Sequence, residues 1–180
     1  MMAKIQNRKV IDALGGCGAI MYGDFELASG AHSNYYIDIK RAVTDPRTMR
    51  FICKQMSVLV KRLHVNKIAG VELGGVPLAS IVSVETELPM LIVRKAVKEY
   101  GTKSQFVGDS NAGDRVVMIE DVTTSGGSVI NAINVIRETG ATVKYVISVV
   151  DREEAAKKRL NEIGVELLSL VTASDLLYTE

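Results

Sequence analysis

The densest chemistry in the chain lies at 116–128, Val-Val-Met-Ile-Glu-Asp-Val-Thr-Thr-Ser-Gly-Gly-Ser. An apolar run leads into two adjacent carboxylates, Glu120 and Asp121. Past Val122 come the hydroxyls of Thr123, Thr124 and Ser125, then Gly126, Gly127 and Ser128. Hydroxyls and closely approaching backbone N–H groups where a helix begins form a cradle for a phosphate monoester. Carboxylates beside such a cradle would repel a bare phosphate, so they need another partner, either sugar hydroxyls or a cation-bridged diol. A phosphorylated ribose lying across the loop meets both requirements. The absence of Gly-Lys-Ser/Thr here makes a P-loop nucleotide site a poor fit.

Three further groups could act with this loop. Arg94, Lys95 and Lys98 open a stretch, 94–113, whose apolar content is little more than Val97, Phe106 and Val107. A loop that long within a compact domain is a functional lid or a disordered surface segment, and its basic start suits a pyrophosphate whose charge must be neutralised as it leaves. Residues 25–41 read as a hairpin with a Ser-Gly turn and a strand carrying Tyr35 and Tyr36. Alone, the hairpin is core packing; its aromatics could also cover a planar base. Arg152 follows the β-branched run 143–150. It is either an exposed residue in a helix's first turn or a planar fork for a carboxylate. His32 and His64 lack metal-ligand spacing and read as surface residues. Cys17 and Cys53 read as packing thiols.

These residues need a scaffold that gathers them. Apolar runs at 67–73, 88–93, 115–119 and 143–150 read as buried strands, with a last short one at 166–170. Between them lie helical patterns. One follows Asp45-Pro46 with Ile52, Met56, Leu59 and Leu63 on one face. Another is a small-residue helix near 76–84. A third carries Val129, Ile133 and Ile136 and stops at Gly140, and a fourth is opened by Asp151 and Glu154 as a capping pair. Continuous apolar strands separated by helices indicate an α/β, doubly wound parallel sheet. In such sheets ligands sit outside the carboxyl ends of the strands, where the loops at 74–77, 94–113, 120–128 and 151–152 would meet.

The 180 residues fit a single domain, and 22 basic against 21 acidic residues leave a net charge of +1. That balance argues against a general nucleic-acid or membrane-attracted surface. No apolar run reaches the ~20 residues of a membrane span, and the N-terminal stretch has polar residues where a secretory signal is apolar. Two cysteines fit a reducing, cytoplasmic setting.

The stretch from Glu120 to Ser128 resembles the 5-phosphoribosyl 1-pyrophosphate (PRPP) fingerprint of the type I phosphoribosyltransferases. Arg94-Lys95-x-x-Lys98-x-x-Gly101 resembles the mobile catalytic loop of orotate phosphoribosyltransferases. Phe25-x-Leu27-x-Ser29-Gly30 with Ser33-x-Tyr35-x-x-Asp38 is similar to their hood, and Asp151-Arg152-x-Glu154 to their orotate-binding motif. The resemblance spans residues 25–154. It implies one phosphoribosyltransferase domain, with a hood at about 18–42 plus the C-terminal segment, a core at about 46–164 and a mobile loop at 94–113. The implied reaction is transfer of the phosphoribosyl group of PRPP to orotate, giving orotidine 5′-monophosphate and pyrophosphate in pyrimidine synthesis.

Residue roles follow from the same likeness. Lys98, Lys95 and Asp121 are expected to be catalytic, and Arg94, Lys95, Lys98 and Glu120 through Ser128 to bind PRPP. Thr124, Arg152, Tyr35 and Tyr36 are expected to bind orotate. The implied cofactor is Mg2+, held mainly through PRPP rather than by direct protein ligands, and the implied partner is a second copy in a homodimer with shared sites. The chain departs from the family pattern at Ala28, Gly74 and Tyr100, where many members carry Lys, Lys and His, and at Glu120, where they often carry Asp. Two other readings are a phosphoribosyltransferase for another base and a PRPP-sensing regulator of the same fold. The near-neutral charge and the two dozen residues before the hood disfavour a nucleic-acid-binding regulator.

Overall fold

The computed structural model describes residues 8–26, 32–95 and 105–177. In chain order the elements are α1 (Arg8–Gly16), β1 (Ile20–Glu26), β2 (His32–Ile37), α2 (Ile39–Thr44), α3 (Pro46–Val60), β3 (Lys67–Val71), α4 (Gly75–Thr86), β4 (Met90–Val93), β5 (Phe106–Val107), β6 (Arg115–Thr123), α5 (Gly127–Arg137), β7 (Thr142–Asp151), α6 (Ala156–Glu162), β8 (Glu166–Thr172) and α7 (Ala173–Leu177). Among the described residues β1 and β2 form an antiparallel hairpin. The other six strands form one sheet in the order β5-β4-β3-β6-β7-β8, parallel except for the two-residue β5.

Strand alternation divides the core between the two faces of this sheet. Ile68, Val117, Ile119 and Ile147 pack with Ile52 and Met56 of α3 and Leu78 and Val82 of α4. Ala69, Val116, Met118 and Val146 pack on the other side with Val129, Ile133 and Ile136 of α5 and Leu160 of α6. This is the doubly wound α/β arrangement expected from the sequence. α3 starts where Asp45-Pro46 indicated, with the Asp45 carboxylate accepting from Thr48 N at 2.9 Å. Hydrogen bonding from the Thr48 side chain, and then from its backbone N–H, holds the Asp45 carboxyl below the usual carboxylate range.

Three local expectations are corrected. β6 does not stop at Ile119: it runs on to Thr123, with Glu120 opposite Ser148 and Thr123 opposite Asp151 of β7. Asp151 does not cap the following helix. It is the last residue of β7, only 5% exposed, and its carboxylate accepts from Glu153 N at 3.0 Å, while α6 starts at Ala156 without a side-chain cap. The polar stretch 94–113 contains β5, which pairs Phe106 and Val107 with Val93 and Ile92 and brings the Arg94 N–H to Gln105 O at 2.8 Å.

Below β5, on the edge of the sheet away from the strands' carboxyl ends, a buried ion pair fixes the return of the chain into β6. The Lys67 ammonium donates to Asp114 Oδ2 at 2.7 Å and to Asp109 O; Asn66 Nδ2 and Asn111 N donate to the same carboxylate. Lys67 and Asp114 side chains are 9% and 13% exposed. Removing one partner strands the other charge away from water, so Lys67→Met is expected to lower unfolding free energy by about 3 kcal/mol in a urea titration. The Lys67 hydrogen bond lowers the Asp114 pKa. This part of the stability is therefore present above the ordinary carboxylate range and is lost as pH falls through the depressed value.

Candidate functional site

The chain runs from β3 outward to β4 and then crosses back to lay β6 on the other side of β3. The carboxyl ends of β3 and β6 thus flank a point where strand order reverses, the usual crevice of an open α/β sheet. A cleft of about 360 Å³ lies there. It is lined by 71–74 after β3, Lys95 after β4, residues 120–129 of β6 and α5, Arg152 after β7, and 36–40 between the hairpin and α2. The strand-end loops expected to converge do so, with the 94–113 loop represented by Lys95.

The turn expected to cradle a phosphate, Thr124 to Ser128, lines the cleft. Gly126 sits at φ 75°, and a Cβ there would press within 3.2 Å of Ala156 Cα. A glycine is therefore needed for the chain to turn into α5, whose first N–H groups have no intrahelical acceptor and whose first residues, 127–129, line the cleft. The turn is tied down from behind: Ala156 N donates to Thr124 O and the Arg159 guanidinium to Ser125 O. On the opposite wall Gly74 brings the loop after β3 against Asp121, because a Cβ on Gly74 would collide with the Asp121 carboxylate.

Glu120 and Asp121 differ sharply in environment. Glu120 is 9% exposed, and burial, reinforced by its hydrogen bond and repulsion with Asp121, pushes its pKa up to about 9; nearby Lys95 pulls it partly back. The free protein at neutral pH therefore carries a protonated Glu120 beside Asp121. A carboxyl whose folded pKa lies above its unfolded value stabilises the fold fully below the unfolded value, and that contribution is lost as pH rises through about 9. Glu120→Gln, neutral at every pH, is expected to flatten the decline in melting temperature between pH 6 and pH 9; an unchanged slope would contradict the assignment.

The remaining candidates fall into three groups. Lys95, Glu120 through Ser128, Arg152 and Tyr36 all line the cleft, although the buried Thr123 hydroxyl faces Asp151 Oδ1 at 3.4 Å. Tyr35 is not among the lining residues; its ring lies beside the Arg152 guanidinium, with 5.7 Å from Cζ to the centroid. Arg94 is held at the mouth of its loop through its backbone. Lys98 and Tyr100 of that loop, Ala28 and the Ser-Gly turn of the hairpin lie outside the described residues. The cleft also takes in Asp38, which the hood motif carried without a role, and Glu72 and Leu73, to which motif reading gave none. Their position just past the ends of β2 and β3 was the available signal.

Outside the cleft, His32 is exposed and bonded to Asp24 at 2.8 Å, and Cys53 is a buried thiol with its pKa pushed up to about 12 by burial. Among the described residues no helix is long and apolar enough to cross a membrane.

Comparison with known proteins gives this geometry a lineage. Residues 49–170 match the model of the phosphoribosyl transferase domain family. An orotate phosphoribosyltransferase of Methanosarcina acetivorans is 65% identical over 96% of this chain and 92% of its own length, and one of Methanocaldococcus jannaschii is 49% identical over 96% and 97%. The crystal structure of orotate phosphoribosyltransferase from Aeropyrum pernix superimposes with a TM-score of 0.80 at 33% identity, covering 93% of this chain and 96% of that one. With a polar cleft at the switch point of the sheet and kinship along nearly its whole length, the chain belongs to the phosphoribosyltransferases, within the orotate phosphoribosyltransferase group.

Proposed function

We propose that this protein transfers the phosphoribosyl group of PRPP to orotate, forming orotidine 5′-monophosphate and pyrophosphate for pyrimidine synthesis. The observation that carries the reading is the pairing of the Thr124–Ser128 cradle with Glu120 and Asp121 in one cleft that also holds Lys95 and Arg152. The 5′-phosphate sits on the α5 N-terminus, and the ribose hydroxyls reach Glu120 and Asp121. Pyrophosphate lies toward Lys95, with Arg94 and Lys98 at the loop.

The reaction breaks the bond between the anomeric carbon and pyrophosphate and forms one from that carbon to an orotate ring nitrogen. The ring nitrogen attacks the anomeric carbon directly and its proton passes to the departing pyrophosphate as the new bond forms, so no covalent enzyme intermediate is needed. Positive charge grows on the ribose ring and negative charge on pyrophosphate. Asp121 faces the first, and the Lys95, Lys98 and Arg94 cations stabilise the second. The Arg152 fork holds the orotate carboxylate, while Tyr36 and Thr124 border the ring. Closure of the loop after Lys95 excludes water, which would otherwise hydrolyse PRPP.

The donor set fits Mg2+ arriving with PRPP. Of the adjacent pair at the end of β6, Glu120 is held neutral, which leaves Asp121 as a hard oxygen donor beside the sugar, with Asp38 and Glu72 also lining the cleft. Bound in this way, Mg2+ supplies a Lewis acid for the departing pyrophosphate.

A homodimer with the loop reaching a partner's cleft is part of the proposal, supported by exposed aliphatic side chains on the packed pair α3 and α4, Val58 at 44% and Val84 at 79%. The free cysteines support a cytoplasmic setting. The test is the loss of orotate absorbance on adding PRPP and Mg2+. Turnover that requires all three components is expected, and no turnover with orotate would overturn the reading.

A further inference from the structure

Arg152 lies in the cleft with its side chain 18% exposed, and its buried Nε makes no hydrogen bond among the described residues; Glu154 Oε1 stands 3.4 Å away. A flexible cation held so loosely by its own charge partner needs other means of keeping its fork aimed. The structure supplies them through its neighbours. Arg152 N donates to Thr123 O at 2.9 Å, which sets the root of the side chain on β6. The next residue, Glu153, is non-glycine at φ 58°, a backbone region that persists only where surrounding contacts hold it. Its N–H is taken by Asp151 Oδ1 at 3.0 Å. Its carboxylate accepts both the N–H of Ser174, at 2.8 Å, and the Ser174 hydroxyl.

Ser174 stands at the start of α7, which is anchored twice more. Asp175 accepts from Thr172 N at 2.8 Å, and Leu176 O accepts the Tyr22 hydroxyl of β1 at 2.9 Å. β1 pairs with β2, which carries the Tyr35 ring against the Arg152 guanidinium. Arg152 is thus enclosed in a ring of contacts running from Glu153 through Ser174 and α7 to the hairpin and back to Tyr35.

We infer that the Glu153–Ser174 clamp is a positioning device for substrate recognition: it holds the 151–154 turn so that Arg152 presents its fork to the substrate carboxylate. The inference rests on the reading of Arg152 as that carboxylate's partner. Neither Glu153 nor Ser174 lines the cleft, so both act through Arg152.

The test is a double-mutant cycle in steady-state kinetics with Ser174→Ala, Arg152→Ala and the pair. Ser174→Ala is expected to raise the orotate KM about fivefold, the scale of one charge-assisted hydrogen bond at a partly exposed site, with the PRPP KM and kcat unchanged. Ser174→Thr, which keeps the hydroxyl, should restore the wild-type orotate KM. In the Arg152→Ala background Ser174→Ala should add nothing. Glu153→Ala, which removes the other half of the clamp, should reproduce the orotate-selective change. An orotate KM unaltered by Ser174→Ala, a rise of equal size in both backgrounds, or an equal rise in the PRPP KM would overturn the clamp. If Arg152→Ala itself leaves the orotate KM unchanged, the carboxylate reading fails instead.

Discussion

Arg152→Ala should raise the KM for orotate about a hundredfold while moving the KM for PRPP no more than about twofold. The guanidinium is largely buried at the cleft wall, where truncating one member of a hydrogen-bonded charge pair costs about 2–5 kcal/mol. A hundredfold corresponds to about 2.7 kcal/mol, near the low end, as suits a pair that water can still reach. The asymmetry between substrates is the diagnostic part. Arg152 lies at the end of β7, whereas the phosphate cradle lies at the start of α5. A general loosening of the cleft would raise both constants together. Arg152→Lys should recover little, because a point charge cannot grip two carboxylate oxygens as a planar fork does. Equal effects on both substrates would remove the carboxylate role.

Lys98→Ala should lower kcat by about two orders of magnitude, the usual cost of removing one preorganised charge from a developing anion, and leave thermal stability unchanged. The second half of that statement follows from the frame around the loop. The loop leaves β4 at Arg94 and returns through β5, where Arg94 N meets Gln105 O and Val93 pairs with Phe106. The β4–β5 pairing closes the base of the loop through Val93, Arg94, Gln105 and Phe106, so the frame is set by residues other than Lys98. If the sites are shared between copies, mixing the Lys98→Ala and Arg152→Ala proteins should restore part of the activity by leaving one intact site in a mixed dimer. No recovery on mixing would count against shared sites, and an undiminished kcat would remove Lys98 from the chemistry.

The large-scale design was written plainly in the chain. Buried parallel strands need near-continuous apolar sequence, which 67–71, 116–119 and 143–150 provide, and helices that cover them need one apolar face, as Ile52, Met56, Ile133 and Ile136 provide. That residues 120–128 would wall a cleft was legible for a related reason: glycine, hydroxyl and paired acid together at a strand's end are seldom plain capping. What stayed hidden depends on tertiary pairing. Glu120 and Asp121 look like the end of a strand because charged residues avoid the interior, yet the ladder with β7 carries β6 onward through them, and the burial that results raises the Glu120 pKa. Asp151 and Glu154 have the spacing of a helix cap, but the ladder with Thr123 claims Asp151 for the sheet. β5 is two residues within a polar stretch, below what periodicity can register. For the tyrosines the pattern was available: adjacent strand residues point to opposite faces, so only one of Tyr35 and Tyr36 could line the cleft, and it is Tyr36.

The most direct measurement is a crystal structure with PRPP and Mg2+ bound. The 5′-phosphate is expected within hydrogen-bond distance of the backbone N–H groups of 125–128, with the ribose hydroxyls against Glu120 and Asp121. A sugar phosphate seated anywhere else on the protein would contradict this placement.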